Sequence, residues 1–568
     1  MKLMKSHYKL LLVLIAVIFA SCQDLTELNV NPNGVDPSIV NPNLLVTTVI
    51  TGTAQPYLSN GYNGNLGGVM QYIQQDGWSS GTNNFDWTGE SSWSGYYSNL
   101  RNIKHLSDRA EAEGMEFQQG LALVLEAFNF GVITDGWGAA PFTDALNAPN
   151  GEQKDLFPVF DSQETIYKGI IEDLKKANTM LSQPVSAYSG INQEADVMYN
   201  GNPAKWRKLA NSLMLRYYMR VSAKLPDYAK AGIEEIVSSP DTYPIFTSND
   251  DDATMDYVGT SNDDSWPANT TFDNSESNFS RIQLCAGLRD VLVDYNDPRL
   301  PVWFNKAKVK ITISNKHAAE GGDVTADGVR YLTPDFVAAQ GYAVYNKNTW
   351  QTASADGTTI IDTMQYVGIP TAVVGYEPYN YNLNPSPTQG GYNQHVSALA
   401  DKYRDAAGPM LKSRLISYAE VCFILSEAAQ KGWSVGSQQT WYEKGVQASL
   451  ATWGVGDDYS TYITKNGVAY NGSLTQLMTQ KWIANWTNAT EAWCDWRRTG
   501  LPNLKFGARG KRDAMPVRYR YDANEKNRNA ANYATAISGL EQTAFTAEDG
   551  NDSAWSKMWL IQGTGKPY

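Results

Sequence analysis

Histidine and cysteine are scarce in this sequence, which has four of each among 568 residues. No two histidines have the spacing of a zinc site such as HExxH, so no metal motif of that kind is present. If Cys22 is modified, as argued below, three cysteines remain and at least one is unpaired, which excludes a scaffold built on disulfides. Cys422 and Cys494 stand among apolar residues and are predicted to be buried thiols.

Positive charge is also in deficit. The chain has 46 lysines and arginines against 59 aspartates and glutamates, a formal net charge of −13. Nucleic acid is recognised chiefly through its phosphates, which such a surface repels. We therefore do not expect nucleic acid as a partner.

Long apolar runs are missing except near the start of the chain. Leu10–Ala20 is uninterrupted but short, because a membrane span needs about 20 residues. Three lysines precede it, and Cys22 follows two small residues. This arrangement is typical of a lipoprotein signal peptide over residues 1–21, with cleavage before Cys22 and lipid attached to its thiol. An ordinary secretory signal or an uncleaved anchor explains the position of Cys22 less well.

Helical periodicity is abundant in the rest of the chain. Asp161 is predicted to cap one helix, with Glu164 as its capping-box partner, and Asn202-Pro203 is predicted to open another. Apolar residues at 3–4 spacing predict helices from about residue 43 and over 93–110, 116–133, 162–181, 203–223, 227–237, 282–295, 412–432, 438–453 and 474–486. The last eighty residues are predicted to be mostly loop.

These helices suggest divergent tetratricopeptide-like pairs, because they form hairpins without the strict 34-residue consensus. Between residues 240 and 410 Gly, Asn, Asp, Thr and Pro are frequent and periodicity is poor. We therefore predict a mainly α fold in five parts: the signal peptide 1–21, a lipidated tether 22–42, a helical scaffold 43–239 with a ligand loop at 75–92, a loop-rich ligand-binding insertion with short strands at 240–410, and a C-terminal scaffold with its tail at 411–568.

Several segments, in order along the chain, resemble the SusD/RagB family of nutrient-binding outer-membrane lipoproteins of Bacteroidetes. The most specific is DVMYNGNPAKWRKLANSLMLRYYMRVS, residues 196–222. The others are LNVNPNGV, EAFNFGVITDGWGAAPFTDAL, FPVFDSQETIYKGIIEDLKKANTML, NDPRL, SYAEVCFILSEAAQKGW, QKWIANW, DWRRTGLP and MPVRYRYDANEKNRNAANY.

The resemblance implies a scaffold of four tetratricopeptide-like units and an irregular ligand-binding portion. It also implies a lipid-anchored protein on the outer face of the outer membrane. Such a protein captures oligosaccharides, or in some members peptides, and passes them to a SusC-like TonB-dependent barrel. It implies binding without catalysis, and no cofactor. A surface glycoside hydrolase is the alternative from another class, but we find no catalytic motif for it.

Most of the family motifs are predicted to be architecture. Arg216 is expected to pair with a carboxylate such as Asp196 or Glu420. Glu420 and Glu427 lie on one face of an apolar helix, so we interpret them as scaffold and not as a catalytic pair. Trp93 is assigned to the core, and Glu525 near the C-terminus to the scaffold.

Ligand contacts are expected from loops that combine aromatic rings with planar polar groups, because sugars offer apolar faces and a rim of hydroxyls. Three loops have this mixture. The predicted ligand-binding residues are Asp76, Trp78, Asn83 and Trp87 in the first loop, Tyr257, Asp264 and Trp266 in the second, and Tyr376 and Tyr379 in the third.

A calcium ion is a weaker prediction. Asp250, Asp251, Asp252, Asp263 and Asp264 supply oxygen ligands of the kind that Ca²⁺ prefers, but their spacing is not that of an EF-hand. Solvated acidic loops are the alternative interpretation.

Overall fold

The structure, a computed structural model, describes residues 40–75, 79–355, 357–373 and 393–568. Cys22 and four of the predicted ligand-binding residues (Asp76, Trp78, Tyr376 and Tyr379) lie outside these ranges.

Helices dominate the described residues. In chain order they are α1 (Asn43–Tyr62), α2 (Asn65–Val69), α3 (Ser80–Asn83), α4 (Ser94–Glu113), α5 (Glu116–Trp137), α6 (Gln153–Leu156), α7 (Gln163–Met180), α8 (Pro203–Val221), α9 (Pro226–Ser238), α10 (Ser277–Ser280), α11 (Ala286–Asp294), α12 (Leu300–Trp303), α13 (Pro334–Ala339), α14 (Trp350–Ala355), α15 (Tyr418–Gln430), α16 (Gln438–Thr452), α17 (Tyr459–Tyr462), α18 (Leu474–Ala484), α19 (Ala489–Thr499), α20 (Ala523–Arg528) and α21 (Ala530–Ser538).

The strands are short and form small sheets. They are β1 (Ile73–Gln75), β2 (Ala253–Asp256), β3 (Ile282–Leu284), β4 (Lys310–Ile313), β5 (Asp323–Ala326), β6 (Val329–Leu332), β7 (Ala343–Val344), β8 (Ile360–Ile361) and β9 (Lys412–Ile416). β1 pairs antiparallel with β3, and β2 with β9. In the remaining sheets β6 lies between β4 and β5, and β7 pairs parallel with β8. The β1–β3 pairing joins the 240–410 segment to the N-terminal helical scaffold, and the β2–β9 pairing joins it to the C-terminal one.

The predicted helix hairpins are confirmed for α4/α5, α8/α9 and α15/α16, each of which contains two consecutive helices in contact. A further pair, α18/α19, is predicted only in its first helix, and α7 packs against both α5 and α8. The cap at Asn202 is also confirmed, since its side chain accepts a hydrogen bond from the Lys205 amide at 3.3 Å.

Four local predictions are wrong. Residues 282–284 form β3 and not the start of a helix, because they pair with β1. Ser162 and not Asp161 caps α7, because the Asp161 carboxylate instead accepts the amides of Phe142 and Thr143. Residues 412–416 form β9 and not the start of a helix, because they pair with β2. Residues 489–499 form a buried helix where a loop is predicted.

Buried ion pairs hold the scaffold helices together. Arg216 in α8 makes a bidentate pair with Glu420 in α15, as predicted, with Nε–Oε1 at 2.7 Å. Arg220 pairs with Glu491 in α19, and Arg498 pairs with Glu427. Each of these cations has its charge neutralised inside the protein by a buried carboxylate, so Glu420 and Glu427 are used in holding the scaffold together.

Candidate ligand-binding junction

The side chain of Asn83 closes the first predicted ligand loop. Its Oδ1 accepts the Gln75 amide at 2.8 Å, and its Nδ2 donates to the Gln75 carbonyl at 2.7 Å. These two hydrogen bonds join Asn83 to Gln75, eight positions earlier in the sequence. Asn83 is buried and its amide is used in this way, so the structure corrects its predicted role from ligand contact to support of the loop.

Three distant segments meet beside Asn83. The Ala372 amide donates to the Asn83 carbonyl at 2.8 Å, and the Lys511 amide donates to the Asn84 carbonyl at 2.8 Å. The Arg509 amide donates to the Ala372 carbonyl at 2.9 Å, which closes the triangle. We call this region the loop junction and define it as residues 83–86, 350–351, 371–372 and 503–511. It brings the first predicted loop, the insertion and the C-terminal tail together.

Side chains reinforce the loop junction. Gln71 donates to the Lys505 carbonyl at 2.7 Å, and Gln351 donates to the Phe506 carbonyl at 2.6 Å. The ring of Phe506 packs edge-on against Phe85, with centroids 5.9 Å apart. The backbone of the 503–511 segment is therefore held from two sides, and its side chains can be presented in a fixed arrangement.

Two cavities open at the loop junction. One, of about 270 Å³, has Trp350, Thr371 and Trp482 in its wall, and the other, of about 430 Å³, has Gln351 and Phe506. They share the segment 503–505, so they are neighbouring openings of one surface. Both combine aromatic rings with side-chain amides, and the first adds the Thr371 hydroxyl, a mixture that suits a sugar or a peptide.

Positive charge is exposed at the loop junction. Lys505 and Arg509 are exposed and make no ion pair among the described residues, while Lys511 lies 3.5 Å from Asp86. Arg509 Nη2 donates to the Ala355 carbonyl at 3.4 Å, but no carboxylate of the described residues lies within ion-pair distance of either cation. In a chain that is acidic as a whole, both cations therefore keep donors for a ligand.

The structure corrects three predicted aromatic contacts. Trp266 is completely buried against Tyr62 and Tyr403. Trp87 is buried and stacks on Tyr519 at 4.9 Å. Tyr257 is buried, with its hydroxyl 2.9 Å from Ser413. Each ring is packed in the core because its large apolar area favours burial, so none offers a face to a ligand.

Asp264 is at the surface but away from the loop junction. Its carboxylate accepts the amides of Thr260 and Ser261, and the adjacent Asp263 carbonyl accepts Gln55 in α1. Its hydrogen bonds stabilise a turn, and a ligand contact there remains a prediction.

The acidic residues of the predicted calcium site are separated by other partners. Asp251 pairs with Lys208 at 2.9 Å, and Asp252 accepts the Tyr418 amide at 2.6 Å. Within the described ranges no group of three or more metal-ligating side chains comes together.

The segment 503–511 is the part of the loop junction that the sequence analysis missed. Its signal is a set of cations, Lys505, Arg509 and Lys511, interspersed with two glycines in an acidic chain. Such a set is usually a solvated surface, and only its contacts with residues 83–84 and 371–372 distinguish it.

Comparison with known proteins identifies the family. A model of SusD-like proteins, described as starch-binding and associating with the outer membrane, matches residues 34–352 and 359–522. The chain belongs to the SusD-like family. No curated protein matches it.

Solved structures show the same fold for SusD-like proteins at low sequence identity. An outer membrane protein of Bacteroides vulgatus, described as involved in nutrient binding, has 24% identity and a TM-score of 0.66, covering 92% of this chain and 100% of its own. A SusD homologue of Bacteroides fragilis has 21% identity and a TM-score of 0.66, with 92% and 99% covered. A chitin-binding SusD homologue of Flavobacterium johnsoniae has 20% identity and a TM-score of 0.65, with 92% and 98% covered.

The SusD-like family consists of binding proteins associated with the outer membrane. In the part of the chain that the structure describes, no helix is both long and apolar enough to cross a membrane.

Proposed function

We propose that this SusD-like protein captures oligosaccharides at the cell surface through its loop junction. The observation that carries the proposal is the convergence of the first loop, the insertion and the 503–511 segment around two cavities. Loops supported by a rigid scaffold are where binding groups are usually placed. The chitin-binding relative and the starch-binding description of the family support a glycan over a peptide.

We also propose that the captured ligand passes to a SusC-like TonB-dependent barrel, and that lipid on Cys22 holds the protein at the outer leaflet. Several acyl chains contribute about 0.8 kcal/mol per buried CH₂, which suffices for stable anchoring. Replacement of Cys22 by Ser should move the protein out of the membrane fraction. Extraction of the native protein in mild detergent should yield a stoichiometric complex with the barrel.

The glycan proposal is tested on the mature chain carrying Cys22→Ser, with arrays of neutral oligosaccharides and of peptides. The double variant Lys505→Ala/Arg509→Ala should weaken glycan binding at least tenfold, because it removes the unpaired donors of the loop junction. Lys230→Ala/Lys444→Ala is the control, since both residues are exposed, on α9 and α16, and neither lines a cavity of the loop junction. Binding of peptides alone would replace the glycan proposal by the peptide alternative.

A further inference from the structure

A second concave surface is separate from the loop junction. A groove of about 400 Å³ lies between the first turns of α4, the 141–158 segment and α20. We call it the α4–α20 groove. Ligand pockets usually have volumes of about 300–1,000 Å³, so the groove is large enough for one or two sugar residues. It shares no lining residue with the cavities of the loop junction.

One wall of the groove is apolar and exposed. Leu156 is 54% exposed and Phe157 is 44% exposed, although large apolar side chains are usually buried. Pro141 and Leu146 continue this wall. Phe157 therefore supplies an aromatic ring beside the groove, of the kind on which the apolar face of a sugar packs.

The opposite side of the groove is polar and firmly held. The half-buried Glu525 carboxylate accepts the indole N–H of Trp93 at 3.1 Å. Asn529 donates to the Pro158 carbonyl at 2.8 Å, which joins α20 to the apolar wall. These contacts give the groove a fixed shape before any ligand arrives, so little ordering is lost when one binds.

Four charged residues line the groove, and their formal charges sum to zero. Arg101 and Arg528 are opposed by Asp522 and Glu525, and none of the four makes an ion pair within the described ranges. A groove with no net charge favours a neutral ligand over a polyanion. Planar guanidinium and carboxylate groups can each make two hydrogen bonds, which suits neighbouring sugar hydroxyls.

A peptide fits the groove less well. An extended peptide is usually recognised through main-chain hydrogen bonds to a strand edge, and the segments that line the groove contain no named strand. The carbonyls of Pro141 and Pro158 already accept hydrogen bonds from Tyr97 and Asn529. The free hydrogen-bonding groups are mainly on side chains.

We propose that the α4–α20 groove is a second carbohydrate site. It binds neutral sugar residues of a polysaccharide while the loop junction binds other sugar residues of the same polysaccharide. The inference rests on the proposed function in one respect, that the ligand is a glycan. Two sites on one protein raise its avidity for a polysaccharide without any new contact, because the second binding event is intramolecular.

The experiment is isothermal titration calorimetry on the mature Cys22→Ser chain. The probe is the neutral trisaccharide from starch, chitin, xylan or mannan that binds most strongly on an array. We expect two binding sites per chain. Phe157→Ala and, separately, Arg101→Ala should each leave one site, and both should fold because both residues are exposed. Phe272→Ala, at a ring that is 40% exposed outside the groove, is the matched control and should keep two sites.

The outcomes separate the two proposals. The groove proposal would be overturned if the native chain and the groove variants each show one binding site and Lys505→Ala/Arg509→Ala shows none. That result would leave the proposed function standing. If the native chain shows one binding site, and only Phe157→Ala and Arg101→Ala abolish it, the result would support the groove as a binding site. It would overturn the assignment of the loop junction. No binding of any neutral glycan, with binding on the peptide array, would overturn both.

Discussion

Arg216 and Glu420 form a bidentate ion pair inside the protein, with both N–O distances at 2.7 Å, although 204 residues separate them in sequence. Both side chains are almost completely excluded from solvent. The pair connects the second predicted hairpin of the scaffold with the third.

Loss of one partner of this pair should be costly. Arg216→Met would leave Glu420 buried without its cation, so we expect the free energy of unfolding to fall by about 3–5 kcal/mol. The double variant Arg216→Met/Glu420→Leu should recover much of this loss, because no unpaired charge remains at that position. Urea denaturation measures both changes.

The control for this prediction is the exposed pair Lys104–Asp108 on α4. The single replacement Lys104→Met should change stability by less than about 1 kcal/mol, because solvent screens exposed pairs. A loss of stability in Arg216→Met no larger than that in Lys104→Met would contradict the argument from burial.

Replacement of Trp266 should lower the stability of the protein and leave its affinity for glycan unchanged. It is completely buried, and Trp266→Ala should cost about 3–5 kcal/mol through the lost contacts and the cavity left behind. The folded fraction should still bind glycan with unchanged affinity by calorimetry. Phe272→Ala, at an exposed ring, should change stability by about 0.5 kcal/mol or less. A tenfold loss of affinity in folded Trp266→Ala would show instead that Trp266 contributes to ligand binding.

Glu126 in α5 should make stability depend on pH. Burial raises the pKa of Glu126 to about 7, and Asp173 adds to this, while Lys104 and Lys176 oppose it. Between pH 4.5, the ordinary pKa, and pH 7 the folded protein keeps a proton that the unfolded chain releases. The stability contributed by this group is therefore present at low pH and is lost as the pH rises towards 7.

Glu126→Gln should remove that loss. We expect the variant to gain about 1–3 kcal/mol over the native chain at pH 8 and little at pH 4.5. Glu111→Gln, at an exposed position on α4, controls for the change in net charge. Thermal unfolding at the two pH values measures the difference, and an equal shift of Tm at both would contradict it.

The three cysteines of the scaffold should not react in the folded protein. Cys285, Cys422 and Cys494 are free and buried, and burial raises the pKa of each thiol to about 12. A thiol reagent should therefore modify none of them rapidly at pH 8, and all three after denaturation in guanidinium. Rapid modification of one thiol would show that its surroundings open in solution.

The sequence was sufficient to predict most of the scaffold, because helices of ten to twenty residues repeat their apolar pattern often enough to be recognised, although α19 is predicted as loop. The cap at Asn202 was predictable from its local sequence. A carboxylate partner for Arg216 was predictable because a buried guanidinium needs one, but the sequence did not choose between Asp196 and Glu420. β9 was not predicted, because Leu415 and Ile416 run into the apolar pattern of the helix that follows, and only pairing with β2 makes residues 412–416 a strand.

The binding residues were harder to predict. Trp87 and Trp266 stand among Asn, Asp and Gly, a composition shared by exposed loops and by loops that are folded onto a core. Their burial depends on Tyr519 and Tyr403, which are far away in sequence. The binding role proposed for Lys505 and Arg509 likewise rests on tertiary contacts that no local pattern shows.

The pairing of Arg220 with Glu491 has a consequence for the order of folding. The two residues are 271 positions apart, so until α19 is available the cation in α8 has Asp135 of α5 as a partner but lacks its bidentate contact. A chain synthesised from its N-terminus therefore needs nearly all of its length before the scaffold can close. Chains that end before residue 489 should be degraded by proteases more readily than the full chain.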